Sequence, residues 1–215
     1  MARRERLAVG IAVVAVTAVA SIATAPDLPA RLVTHWGARG QANGTLSKPL
    51  ALAFGPALAI GLVLLFEALP LIDPLGENIA ALESYYDLLA SVVVGLIGYV
   101  HLLLLAVNLG YGIGVGQALS PALAVVYYVA GVVMTEVDRN WFLGIRTPWT
   151  LSDDAVWDHT QERGGQLFKV AGLLALGGVV FPEYLLYFAV GPAVLVSLYA
   201  TAFSYFDYRR RHADG

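Results

Sequence analysis

The chain has 215 residues, of which 58% are hydrophobic and only 13% charged, with a net charge of −3 and a mean hydropathy of +0.69. A soluble domain carries about 25% charged residues, so this composition excludes an ordinary soluble fold, and the small negative charge gives no reason to expect a nucleic-acid partner. There is no cysteine, which excludes disulfides, thiolate metal sites and a cysteine nucleophile.

Six apolar blocks follow in chain order, at roughly 7–25, 50–72, 86–109, 119–136, 165–181 and 184–206. Each is close to the ~20 residues that cross a bilayer as a helix. The expected fold is all-α, a polytopic transmembrane bundle of about six spans. We divide it into an N-terminal helical hairpin with a polar external loop, 1–72, and a four-helix membrane region, 73–215. The first apolar block also has the look of a secretory signal, with "MARRER" before it and "ATA" after it. Its length, and Pro26 directly after the cut, argue for retention; cleavage would leave five spans.

The connections differ in character. The first, 26–49, is polar and Gly-rich; the second, 73–85, is acidic; the third, "GYGIGVGQALS", is uncharged; the fourth, 137–164, is the longest and most charged; the fifth is little more than Pro182-Glu183. With the N-terminus inside, ten Lys and Arg fall on cytoplasmic segments and three, Arg31, Arg39 and Lys48, fall outside. Cytoplasmic loops are enriched in these residues, so both termini are expected in the cytoplasm of a plasma-membrane protein.

The fourth connection holds "NWFLGIRTPWTL", residues 140–151. Gly144 permits a turn and Pro148 forces Thr147 to be extended. Trp141, Trp149 and Trp157 suit headgroup depth, and interfacial anchoring alone would account for them. Arg146 offers a planar fork to phosphates, to helix-end carbonyls or to an acid such as Glu136. Asn140 and Thr147 can bond backbone left free at helix ends. "TLSDDAVWDHTQER" then reads as a short surface helix capped by Ser152 and ended by Arg163-Gly164-Gly165.

The order of these residues carries a resemblance. "N-x-F-x-G-I-R-T-P-W-T-L", followed by "V-W-x-x-T-x-x-R-G-G-x-L-F", resembles the SdpI family of integral membrane proteins. "LPARLVTHWGARGQANGTLSK" resembles the small domain of unknown function usually fused N-terminal to it, through Leu28, Pro29, His35, Trp36, Gly40, Gly44, Ser47 and Lys48. Val33, Gly37 and Asn43 stand where that pattern commonly has Pro, Asn and Asp. The resemblance implies a protein that binds rather than catalyses. It implies immunity against a secreted peptide toxin, and signalling through a cytoplasmic repressor held at the membrane. Candidate binding residues are then His35, Trp36, Gly40, Asn43, Gly44 and Lys48 outside. Inside they are Asn140, Gly144, Arg146, Thr147, Pro148, Trp149, Thr150, Trp157 and Arg163.

Other readings rest on single side chains. His101, near mid-membrane, and Glu67, near a cytoplasmic helix end, are the support for a small-solute or ion transporter; the alternative for His101 is a neutral ring bonded across to another helix, for instance to a Tyr of the fourth span. His35 has no second ligand at metal spacing, so no metal or cofactor is expected. "GYGIGVG" follows no strand and lacks a Lys, so it is not a phosphate loop. An intramembrane enzyme ranks third: Asp153, Asp154 and Asp158 read as a solvated face, and no nucleophile has a partner base.

Overall fold

The computed structural model describes residues 3–37, 40–72 and 83–213. The acidic connection, up to residue 82, lies outside the described residues. Helix α1 runs Arg3–Thr24, and a polar connection leads into strands β1 (Arg31–Trp36) and β2 (Ala42–Ser47). Long helices follow: α2 (Lys48–Ile72), α3 (Glu83–Asn108) and α4 (Val115–Met134). The cytoplasmic connection carries a short helix α5 (Pro148–Ser152), after which come α6 (Asp154–Ala175), α7 (Gly177–Val180), a single 3-10 turn (Pro182–Tyr184) and α8 (Leu185–Arg211).

Five of these segments are long and apolar enough to cross a membrane. The fifth apolar block is not among them, because its helix starts eleven residues earlier than the block, in charged sequence. Packing shows that α6 and α7 nevertheless run the full height of the bundle beside α4. A Cβ on Gly165 would sit 2.7 Å from the Gly131 carbonyl oxygen, one on Gly172 2.8 Å from that of Ala124, and one on Gly116 2.9 Å from that of Pro182. Successive contacts that move down one helix as they move up the other define an antiparallel pair. Small residues let the two backbones touch, which is how helices associate where lipid removes the hydrophobic drive.

Three sequence expectations about this region change. Arg163, Gly164 and Gly165 do not end a surface helix, since α6 continues through them, and the two glycines are its contact face on α4. The cap is Asp153 rather than Ser152: its carboxylate accepts from Val156 N at 3.0 Å, satisfying an N–H left free at the helix start. The break falls at Leu176, between α6 and α7.

Helices α1, α2 and α3 form one group, with α3 packing also on α4. At its cytoplasmic end Arg6 donates to Glu67 at 2.6 and 3.0 Å and to the fully buried Asp87, while Arg3 donates to Glu67 at 2.8 Å. Beneath these charges Phe66, Tyr86, Val137, Leu143 and Trp157 form a buried apolar cluster. That cluster ties the N-terminal helices to the fourth connection and places both on the same side of the membrane. Glu67 is therefore paired with the N-terminal arginines.

Candidate functional site

The external connection is not an irregular loop. Its polar composition and glycines conceal a two-stranded antiparallel hairpin, in which Leu32 faces Leu46, Val33 faces Thr45 and His35 faces Gly44, with irregular register after Val33. Leu32 is fully buried with Leu28, Ala51 and Leu105 at the outer ends of the helices. Asn108 takes hold of the same strand: its amide oxygen accepts from Val33 N at 2.8 Å, and its amide nitrogen donates to Val33 O at 2.9 Å. Lys48 donates to the Ala25 carbonyl at 2.9 Å, satisfying a carbonyl just past the end of α1.

The outer candidates thus divide by role. Lys48 holds the base of the hairpin. Gly44 leaves room for His35, since a Cβ there would lie 2.9 Å from His35 Cβ. His35 and Asn43 are exposed and bonded to each other, Nδ1 to Oδ1 at 2.5 Å. Trp36 is half-buried and Gly40 is exposed in the turn. Beneath the hairpin an apolar groove of about 330 Å³ opens between α2 and α3. Thr34 and His35 stand at its rim, Phe54, Leu58 and Ile97 line it, and His101 closes its floor.

His101 is buried and pairs through Nε2 with Ser21 Oγ of α1 at 2.7 Å. The bond does run to another helix, with Ser21 as the partner rather than a tyrosine of the fourth span. The ring packs directly on Gly55 of α2, where any Cβ would collide with it. His101 here joins three helices, and Glu67 is held by two arginines. His101 thus stands at the floor of the groove as a buried hydrogen-bonding side chain, and Glu67 at the cytoplasmic end as an ion-pair partner.

The cytoplasmic connection is self-bonded around Asn140, which is fully buried. The Asn140 amide oxygen accepts from Phe142 N at 2.8 Å and Leu143 N at 2.6 Å, and its nitrogen donates to the Asp138 carbonyl at 2.9 Å. Gly144 has a φ of 90°, a left-handed conformation that L side chains rarely adopt. It lets Gln161 of α6 reach the loop, accepting from Ile145 N at 2.9 Å and donating to Ile145 O at 2.8 Å. Thr147 and Thr150 form a reciprocal capping box around Pro148 at the start of α5. Thr147 also meets Ser204 of α8 at 3.0 Å, and Trp149 packs edge-on to Tyr205 with centroids 5.1 Å apart. Trp157 is fully buried and donates to the Val137 carbonyl at 2.9 Å.

Arg146 is not at the centre. It is exposed and donates to the Trp141 carbonyl at 2.8 Å, within the same loop, rather than to Glu136 or to a helix end. Arg163 lies apart from the loop, over the Phe203 ring at 4.6 Å. The sequence reading missed Gln161, Ser204, Arg6 and Asp87. A signal existed for Asp87, an acid inside an apolar block; Gln161 falls one turn after Trp157 on the same helix face.

Apolar side chains such as Ile22, Leu64 and Leu195 stand exposed around the helices, as lipid contact requires. The molecule is a multi-pass helical protein of the plasma membrane, with an ordered hairpin at one end and a self-capped loop at the other. Residues 136–204 match the SdpI/YfhL protein family, and residues 12–60 match a domain of unknown function, DUF1648. The chain is 26% identical over 203 residues to the immunity protein SdpI of Bacillus subtilis (strain 168), covering 94% of this chain and 95% of that protein. No solved structure matches it.

Proposed function

We propose that this protein confers immunity: it binds a secreted, membrane-active peptide at its outer face and passes the bound state to a cytoplasmic regulator. The observation that carries the reading is the end-to-end similarity to an immunity protein, which takes in both connections. The groove beneath the hairpin supports it physically. An apolar segment entering the outer leaflet finds Phe54, Leu58 and Ile97 there, with the His35–Asn43 pair above for its polar end. The cytoplasmic loop supports the second half, because it rests on α6 and α8 and would move with them.

Protection is the measurement. Sensitive cells carrying the protein are challenged with supernatant from the strain that encodes it, against cells carrying empty vector. We expect at least a tenfold rise in the dose that stops growth, and loss of that rise with Leu58→Trp, which fills the groove, at equal membrane abundance. Equal sensitivity of the two strains sinks the proposal. A cytoplasmic repressor captured with the wild type but not with Asn140→Ala supports the signalling half; no such capture restricts the role to protection.

A further inference from the structure

Helix α6 carries polar side chains where a membrane helix should have none facing lipid. Trp157 lies just beneath the Arg6–Asp87 pair, which marks the cytoplasmic end of the bundle. At 1.5 Å per residue, Glu162 and Arg163 lie about 8–9 Å deeper, and Gln166 about 14 Å deeper. All three are exposed. Arg163 has Tyr199 Oη at 3.4 Å and the Phe203 ring beneath it, but Glu162 and Gln166 have no hydrogen-bond partner among the described residues. Ionisable side chains at such depth ordinarily face a bundle interior or pair with one another.

These residues share one feature, an open groove between α6 and α8 whose floor is Leu167, Leu195 and Val196. Its charges are balanced and adjacent, one acid beside one base. Such a surface is complementary to itself under a two-fold rotation about the membrane normal, since residues at one depth then meet residues at the same depth. Gln166 adds to this. Its amide is both donor and acceptor, and at acyl-chain depth a lipid offers it nothing, whereas a second amide satisfies it.

We propose that a second copy of this chain occupies the groove, forming a two-fold dimer along α6 and α8. Glu162 of each protomer then faces Arg163 of its partner, and the two Gln166 amides pair near the axis. The competing occupant is a phospholipid with a zwitterionic headgroup, which could meet Glu162 and Arg163 but not Gln166.

The absence of native cysteine makes the test direct. Leu195→Cys is placed at the groove and Leu64→Cys on α2; these residues are 67% and 64% exposed, so accessibility is matched. Native membranes are treated with a short bis-maleimide. We expect a dimer-mass band at least five times stronger for position 195 than for position 64. In the Leu195→Cys background, Glu162→Arg and Arg163→Glu should each reduce the band several-fold, and the double swap should restore it at equal membrane abundance. Two differently tagged wild-type copies should also co-purify, a readout that needs no charge variant. A band at 195 no stronger than at 64 overturns the dimer, and phospholipid retained by a monomer then assigns the groove to lipid. Single swaps without effect, or a double swap that stays low, overturn the proposed pairing.

Discussion

Asn108, at the outer end of α3, closes on Val33 with both halves of its amide, accepting from the backbone N–H and donating to the carbonyl. The two residues are 75 positions apart, so one side chain fixes the hairpin to the bundle where Leu32 supplies the apolar contact. Asn108→Ala removes both bonds and should destabilise the hairpin by about 1–2 kcal/mol. Amide exchange over residues 31–36 should quicken roughly tenfold, the same energy read as a rate, with α4 to α8 unchanged. Uniform exchange across all helices, or none, contradicts this clamp.

The cytoplasmic cluster gives a stability prediction. Arg6 bridges Glu67 and the fully buried Asp87, and its guanidinium lies 5.0 Å from the Tyr86 ring centroid. Removing one partner of a buried pair strands the other charge, at a cost of about 3–5 kcal/mol. Arg6→Met should therefore lower the unfolding midpoint strongly in detergent or nanodiscs. Adding Asp87→Leu should recover part of the loss, because no buried carboxylate then remains on α3 without its cation. A double variant as unstable as the sum of the two singles contradicts the coupling.

Orientation is tested with the same cysteine-free background. The ten-to-three distribution of Lys and Arg places the hairpin outside and α6's start inside. An impermeant maleimide applied to intact cells should label Gln41→Cys and leave Asp158→Cys unlabelled until the membrane is opened. Labelling of position 158 in intact cells inverts the topology.

Hydropathy made the long helices legible because lipid contact demands uninterrupted apolar sequence, and α1 to α4 and α8 have it. It could not describe α6, whose polar first turns include Gln161, which serves the loop, and Glu162 and Gln166, which face outward. It also hid the hairpin, since a two-stranded ribbon with one buried residue, Leu32, leaves almost no alternation to read. The candidate loop was legible in the order of its residues, through Gly144, Thr147 and Pro148. Which side chain stands at its centre was not, because that depends on Asn140 folding back on its own backbone.

That last point changes what substitution should do. A guanidinium at the centre of the loop would make Arg146 indispensable, even to lysine. The structure gives it one hydrogen bond, to the Trp141 carbonyl, at an exposed site. Asn140 instead satisfies four backbone groups from full burial. Asn140→Ala leaves those groups unpaired and should cost about 2–3 kcal/mol. Gly144→Ala should be comparably harmful, since its φ of 90° is disfavoured for a side chain and the new Cβ would lie 2.6 Å from the Gln161 amide oxygen. Arg146→Lys should leave the unfolding midpoint unchanged, because lysine can still donate to one carbonyl. Thermal unfolding of the three variants orders them. If Arg146→Lys proves as damaging as Asn140→Ala, the loop is organised by its cation after all; if only protection is lost while the midpoint holds, Arg146 is a contact for the cytoplasmic partner.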